Sequence, residues 1–435
     1  NRGSIISFIP KIGSLESMYV DFEDLSLFVS SNQGLAAKCN PVTGKVDRHL
    51  FYSTNELLPV PVTASCVKSD RIAWGFHSGF ITLLVRTKTS ANLASRIKVF
   101  SEFHLAPVKI FAMPSNLSEV VLSGAEDGQI KLWDVTTVSC AWTFLGPMAH
   151  PTALKVFREG LIAGYSDGTI IIWNFDIHQI LQLNRQRRQD SHFEDRWRQT
   201  EQEIDQNKRL ISPGFTAPVR SLLYDEETRR VIVAHKDCEE LRKYNVDTGE
   251  CTAKYVGHVG AVTCVKWDVS YSNLNPLEQA LKPRLNKKGS IIHLSSPRAS
   301  GQNTPQLTSS RSTRLLVTGD DLGVVCLWNG SETNQKEVKP LMILSNGHIS
   351  AISSIYVDAC KIVTGSDDGW IRIWDPLTGA NIHTLGNKIP RHAPVDRSDM
   401  DVMRVKNIWC NDYQGVATIG HQVKTWDFSP GKQLL

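Results

Sequence analysis

The 435-residue chain has no apolar run near the roughly 20 residues that carry a helix across a bilayer, so no membrane span is expected. Its nine cysteines, among them Cys39, Cys140, Cys264 and Cys410, fall at no metal-ligand spacing, and no pair of histidines stands at the interval that grips zinc. There is no glycine loop ending in a phosphate-binding Lys and no dinucleotide fingerprint. Neither charge sign dominates: 48 Lys and Arg stand against 44 Asp and Glu, a net +4, which does not by itself imply nucleic acid. The amino terminus lacks the basic patch, apolar core and cleavage site of a secretory signal. The absences argue against catalysis, and neither cofactor nor metal is expected. Scattered thiols suit a reducing cytosolic or nuclear compartment.

What is present is a unit of about forty residues, a period that marks a repeat architecture. Its clearest copies are Gly124-Ala125-Glu126-Asp127-Gly128-Gln129-Ile130-Lys131-Leu132-Trp133-Asp134, Gly164-Tyr165-Ser166-Asp167-Gly168-Thr169-Ile170-Ile171-Ile172-Trp173-Asn174 and Gly365-Ser366-Asp367-Asp368-Gly369-Trp370-Ile371-Arg372-Ile373-Trp374-Asp375. An apolar run, an Asp-Gly turn and an alternating run ending in Trp read as two strands joined by a tight hairpin. Gly164 to Gly168 also matches the glycine-serine-glycine pattern of a hydrolase nucleophile elbow, but that motif needs a strand-to-helix turn and the repeat supplies strand-to-strand.

These copies resemble WD40 repeats, which implies an all-β propeller. A small sheet cannot bury both faces alone, and stacking such sheets in a closed ring protects their edges. Units fall at about 14–50, 62–100, 106–144, 150–210, 217–256, 257–344, 347–385 and 399–429, so eight blades are predicted, with seven as the runner-up, in one domain over 1–435. The eighth unit lacks an outer strand, and the leftover apolar stretch Ser4–Ile9 is expected to supply it.

The resemblance also implies a hydrogen-bonded tetrad of His, Ser or Thr, Asp and Trp within a blade. His104, Ser123, Asp127 and Trp133 make one full set; His348, Thr364, Asp368 and Trp374 make another. His150, Asp167 and Trp173 lack the hydroxyl, since Ala163 sits there. His258, Thr318 and Trp328 lack the acid, since Leu322 occupies the turn.

Two insertions interrupt the ring. The stretch 176–209 is polar, has no Gly or Pro and places Ile177, Ile180, Leu181 and Asn184, then Phe193 and Trp197, at helical spacing. Its apolar face either packs on the propeller's own flank or docks a partner. The stretch 272–313 is rich in Ser, Asn, Pro and Arg and is expected to be a disordered loop; its Ser296-Pro297 and Thr304-Pro305 are candidate phosphorylation sites for a proline-directed kinase.

Aligning the first strands puts Lys109, Lys155, Arg220 and Lys406 at one position; aligning the third strands puts Lys131, Arg242, Arg372 and Lys424 at another. If these rings converge they suit an anion, because Lys and Arg bind phosphate through charge-assisted hydrogen bonds. The chain looks most like the substrate-binding propeller of F-box/WD-repeat proteins, and that resemblance implies that Arg residues at these positions grip phosphorylated degrons. Arg220, Arg242 and Arg372 would lead, since a planar guanidinium gives a bidentate hold that Lys does not. A solvated or structural role for these cations is the other reading.

The resemblance further implies a subunit of a ubiquitin ligase, with a Skp adaptor and cullin bound through an upstream F-box; the chain opens on Asn1, and such a segment is expected to precede it. The alternative from another class is a scaffold for a stable multiprotein or ribonucleoprotein complex. Direct RNA binding ranks behind both.

Overall fold

The computed structural model describes residues 5–427 apart from 56–58, 69, 87–95, 115–116, 158, 188–191, 215, 269–313, 332–335, 345–346 and 387–402. The loop expected at 272–313, with its Ser-Pro and Thr-Pro sites, lies outside the described residues. Eight antiparallel sheets follow one another along the chain. Their inner strands are Leu15–Asp21, Ala64–Val67, Val108–Ala112, Pro151–Phe157, Val219–Asp225, Val262–Trp267, Ile352–Val357 and Val405–Cys410, which number blades one to eight. Each inner strand packs beside those of the two neighbouring blades, the last against the first. The ring is therefore closed about a central channel, and the count is eight rather than seven.

The second strands explain the ring's solidity. Val120–Ala125 and Gly160–Tyr165 are buried at every residue, because both faces of each sheet lie against a neighbouring blade. One interface joins Leu122, Leu132 and Phe144 of blade three to Leu161, Ala163 and Trp173 of blade four. The tight turns need a left-handed residue: Gly128 has φ of 78°, and a Cβ there would collide with the Pro147 carbonyl.

Blade eight takes its outer strand from the other end of the chain. Ile5–Phe8 pairs antiparallel with Gln422–Asp427, from Ile5 opposite Trp426 to Phe8 opposite Val423. Within blade six, between its third strand Val325–Asn329 and its outer strand Met342–Leu344, Glu337–Val338 runs back to pair in parallel with the outer strand of blade five at Lys254 and Tyr255.

Within blade four, two helices separate the third strand from the outer one: α1, Ile177–Gln186, and α2, Phe193–Gln206. Asp176 caps α1 by accepting the His178 amide at 2.9 Å, as short acids do at helix starts. The apolar side of α1, with Ile177, Ile180 and Leu181, is buried in the interface of blades three and four. Trp197 of α2 stacks on Trp142 with ring centroids 4.3 Å apart. Arg185 is bound to Asp134 at 2.8 Å and also to Glu119. The insertion's apolar face thus packs on the ring's own flank.

Candidate functional site

The end of the ring that carries the tetrad histidines and the turns between second and third strands is here the upper face. The tetrads hold it together. In blade three the Trp133 indole donates to Ser123 Oγ at 2.7 Å, and Ser123 Oγ lies 2.7 Å from His104 Nε2. His104 Nδ1 lies 3.4 Å from Asp127, which also accepts the Leu105 and Gln129 amides. An indole N–H can only donate, so the hydroxyl passes its own proton on to the imidazole, whose Nδ1 faces the carboxylate at ion-pair distance without closing a hydrogen bond. Blade seven closes it: Trp374 to Thr364 at 2.9 Å, Thr364 to His348 at 2.8 Å, His348 to Asp368 at 3.0 Å.

Blade six corrects the sequence reading. Leu322 does occupy the turn, but the acid is not missing: Asp320, two positions earlier, lies 3.0 Å from His258 Nδ1, while His258 and Trp328 meet Thr318 at 2.6 and 2.7 Å. The Leu322 and Val324 amides complete the shell of Asp320. In blade four, with Ala163 in place of the hydroxyl residue, Asp167 accepts the Thr169 amide at 2.9 Å. The carboxyls of Asp127, Asp320 and Asp368 are opposed by burial, yet imidazole and amide donors hold all three below the ordinary Asp value.

The channel is built in layers by the inner strands. Near the upper mouth the pairing of seven inner strands slips by one residue. The residues at the slips are Glu16, Lys109, Thr152, Arg220, Thr263, Ser353 and Lys406. Five of them make a continuous run of ties from blade four round to blade one. Thr152 Oγ1 donates to the Val219 carbonyl at 2.5 Å, Arg220 Nε to Thr263 at 3.1 Å, Thr263 Oγ1 to Ile352 at 2.5 Å and Ser353 Oγ to Val405 at 2.6 Å, while Lys406 Nζ reaches Glu16 at 2.8 Å. Lys109 instead pairs with Glu126 on its own blade's turn at 2.7 Å. A cavity of about 420 Å³ lies among Glu16, Thr63 and Lys109.

Lys109, Arg220 and Lys406 are therefore equivalent, but Lys155 is not. It pairs with Ile162, three residues further along its strand than Thr152, which holds the slip. The sequence alignment placed the lysine where Thr152 stands, three residues away on the same strand.

The third-strand cations do share one register, opposite Ser123, Val233, Thr364 and Ala417. They do not join the first set. Two strand spacings, about 10 Å, separate the third strand from the inner one; Lys131 and Arg372 turn toward their own outer strands, and Arg242 and Lys424 toward the loop after the preceding blade's outer strand. Lys131 reaches Thr143 at 3.2 Å, Arg372 reaches Thr384 at 3.4 Å, Arg242 meets the Pro213 carbonyl at 2.9 Å and Glu240 at 2.7 Å, and Lys424 meets the Gly386 carbonyl. Burial lowers the Lys424 pKa; for Arg242 burial works the same way, but Glu240 and Tyr244 outweigh it and raise the value. Of the first set, Arg220 is exposed and has no carboxylate partner among the described residues.

The upper face also presents apolar side chains. The residue after each tetrad histidine is exposed: Leu105, Val259 and Ile349 are 82%, 72% and 89% accessible. Trp370, on the turn of blade seven, is 43% accessible.

Two residues beyond the slip's partner, a second layer carries large side chains. By register it comprises Tyr19, Cys66, Ala112, Lys155, Leu223, Lys266, Tyr356 and Trp409. At this lower end a cavity of about 480 Å³ is lined by Tyr19, Lys68, Lys266, Tyr356 and Trp409. Sequence reasoning missed this group; the signal was the residue three places past each slip, legible only once the bulge is known.

Comparison with known proteins agrees with this architecture. The WD domain, G-beta repeat family model matches residues 99–134 and 338–375. The F-box/WD repeat-containing protein pof10 of Schizosaccharomyces pombe is 21% identical over the whole of this chain, which spans 61% of that relative's length. Gem-associated protein 5 of Mus musculus is 27% identical over 27% of this chain and 8% of its own. Among solved structures, the computationally designed Ika8 protein superimposes with a TM-score of 0.63 at 16% identity, covering 98% of this chain and all of that one.

Proposed function

We propose, from the premise that the chain is a WD40-repeat propeller, that it is the substrate-recognition part of an F-box-type ubiquitin ligase and performs no bond chemistry itself. The ring docks a substrate segment on its upper face. Arg220 supplies the anion contact for a phosphorylated or acidic side chain: its Nε is committed to the Thr263 carbonyl, which fixes the guanidinium plane and leaves the remaining N–H groups to the channel mouth. Leu105, Val259, Ile349 and Trp370, all exposed, give the segment an apolar floor. Lys109 and Lys406, already paired with acids, add less. Lys131 and Arg372 are spent on their own outer strands, and Arg242 and Lys424 on loop carbonyls, so these four stand outside the proposed site.

The observation that carries the reading is the alignment of the whole chain with an F-box/WD repeat protein that extends well beyond it. Upstream sequence would bind a Skp adaptor and cullin, in the cytosol or nucleus. The test is recovery of partners with the full-length gene product: adaptor and cullin are expected. One stable stoichiometric complex without them would replace this reading with the scaffold. Arg220→Glu should lower affinity for a phosphorylated substrate peptide at least tenfold, and Arg372→Glu should not.

A further inference from the structure

The lower cavity belongs to neither the tetrads nor the upper docking face, and its composition is uneven around the ring. Three adjacent blades, seven, eight and one, contribute Tyr356, Trp409 and Tyr19; blades two and six contribute Lys68 and Lys266. Lys155 of blade four shares the register of Lys266. An arc of three blades is thus aromatic, with lysines on the blades to either side of it and Lys155 on the blade across the ring.

Both the aromatics and the lysines carry surface that the fold leaves unused. Neither Lys155 nor Lys266 has an ion-pair partner among the described residues; both are exposed, and Lys266 lines the cavity. At the other mouth Lys109 and Lys406 each hold a carboxylate within 2.8 Å. Trp409 keeps 48% of its surface open although it stands edge-on to the buried Tyr356, with ring centroids 6.1 Å apart. Burial lowers the pKa of Lys155; Glu226 opposes the shift, and the like charges of Lys266 and Lys68 add to it. These lysines therefore sit within one another's field, and an anion between them would relieve it. A ring open on one face is a stacking surface for any planar π-system.

We infer that this end of the channel binds a small planar anion of the nucleoside phosphate class, its base against Trp409 and its phosphates between Lys155 and Lys266. The volume, about 480 Å³, falls within the roughly 300–1,000 Å³ of small-molecule pockets. Direct contact with the base is made by a side chain and not by a glycine-rich phosphate loop, so the usual nucleotide motifs are not required. The phosphate end is held by point charges, and the site thus discriminates by charge and ring rather than by phosphate geometry.

The test is calorimetric titration of the ring with adenosine diphosphate, with adenosine and with inorganic pyrophosphate. Adenosine diphosphate is expected to bind one per ring, at least tenfold more tightly than either fragment. Lys155→Ala with Lys266→Ala should weaken it tenfold or more, and Trp409→Leu about fivefold while leaving pyrophosphate unchanged. Lys45→Ala, which removes an equal charge from a distant turn, should change nothing. Thermal melts check that each variant is folded, and Trp409→Phe, expected to retain most of the affinity, serves if the leucine variant is not. Failure of adenosine diphosphate to bind, or equal affinity in wild type and the double-lysine variant, overturns the inference. Pyrophosphate binding as tightly as adenosine diphosphate would overturn the role of the ring.

Discussion

The two ends of the channel use two layers of the same strands, three residues apart, to opposite purpose. At the upper end nearly every polar group is spent: hydroxyls, Arg220 and Lys406 tie the blades from four round to one, and three tetrads lock the turns behind them. At the lower end Lys155, Lys266 and Trp409 are left exposed. A propeller must be stitched somewhere. Stitching at the slip layer, where an extra residue turns a side chain toward its neighbour, frees the layer below to vary without loosening the ring.

The sharpest way to break this contrast is acid. His235, at the upper end of blade five, is pushed down to about 4 from 6.5 by burial, against a backbone hydrogen bond with Gly168. Its folded value lies below its unfolded one, so its contribution is complete above pH 6.5 and is lost as the pH falls toward 4. That loss is roughly 3 kcal/mol at 1.36 kcal/mol per unit. The tetrad aspartates, also depressed, lose theirs at lower pH still. Denaturant melts between pH 7 and 4 should show the decline, and His235→Gln should flatten most of it; a wild-type curve without slope there would sink the assignment.

Next is Thr318→Ala. It strips the acceptor from Trp328 and the partner from His258 in a site with no exposure, and should cost about 2 kcal/mol. Tyr356→Phe at the lower end should cost under about 0.5 kcal/mol. Equal losses in thermal melts would erase the distinction between the ends.

Smaller again is the Lys406–Glu16 pair. With side chains 17% and 39% exposed, a double-mutant cycle should give about 0.2–1 kcal/mol, shrinking with salt. Least of all is Lys155→Met, which removes a charge repelled by Lys266 and should leave stability unchanged or raise it by a few tenths of a kcal/mol. A clear loss would show that the lower lysine is structural.

Much of the ring was legible beforehand. The period located all eight blades, the orphan stretch at Ser4–Ile9 announced the closing strand, and the residues named for the two full tetrads lie together, hydrogen-bonded throughout in blade seven and from Trp133 as far as His104 in blade three. What escaped has one physical source. The slip leaves no mark in the apolar pattern, so nothing in the strand's alternation told that Thr152 and not Lys155 occupies it. The Asp320 substitution escaped for a related reason: the imidazole needs an acceptor near Nδ1, and a carboxylate from the strand end meets that need as well as one from the turn. The partners of Arg242, Glu240 and a loop carbonyl, and of Arg372, an outer-strand threonine, are not recorded in a single strand's alternation.

Closure by Ile5–Phe8 on Gln422–Asp427 has a mechanical side. Ile5 lies opposite Trp426 and Phe8 opposite Val423, so both chain ends leave from the same end of one antiparallel pair. A pull between them would part the strands rung by rung, as a zipper opens, and not shear all four pairs at once. The ring is thus hardest to open from within and weakest to tension across its own seam.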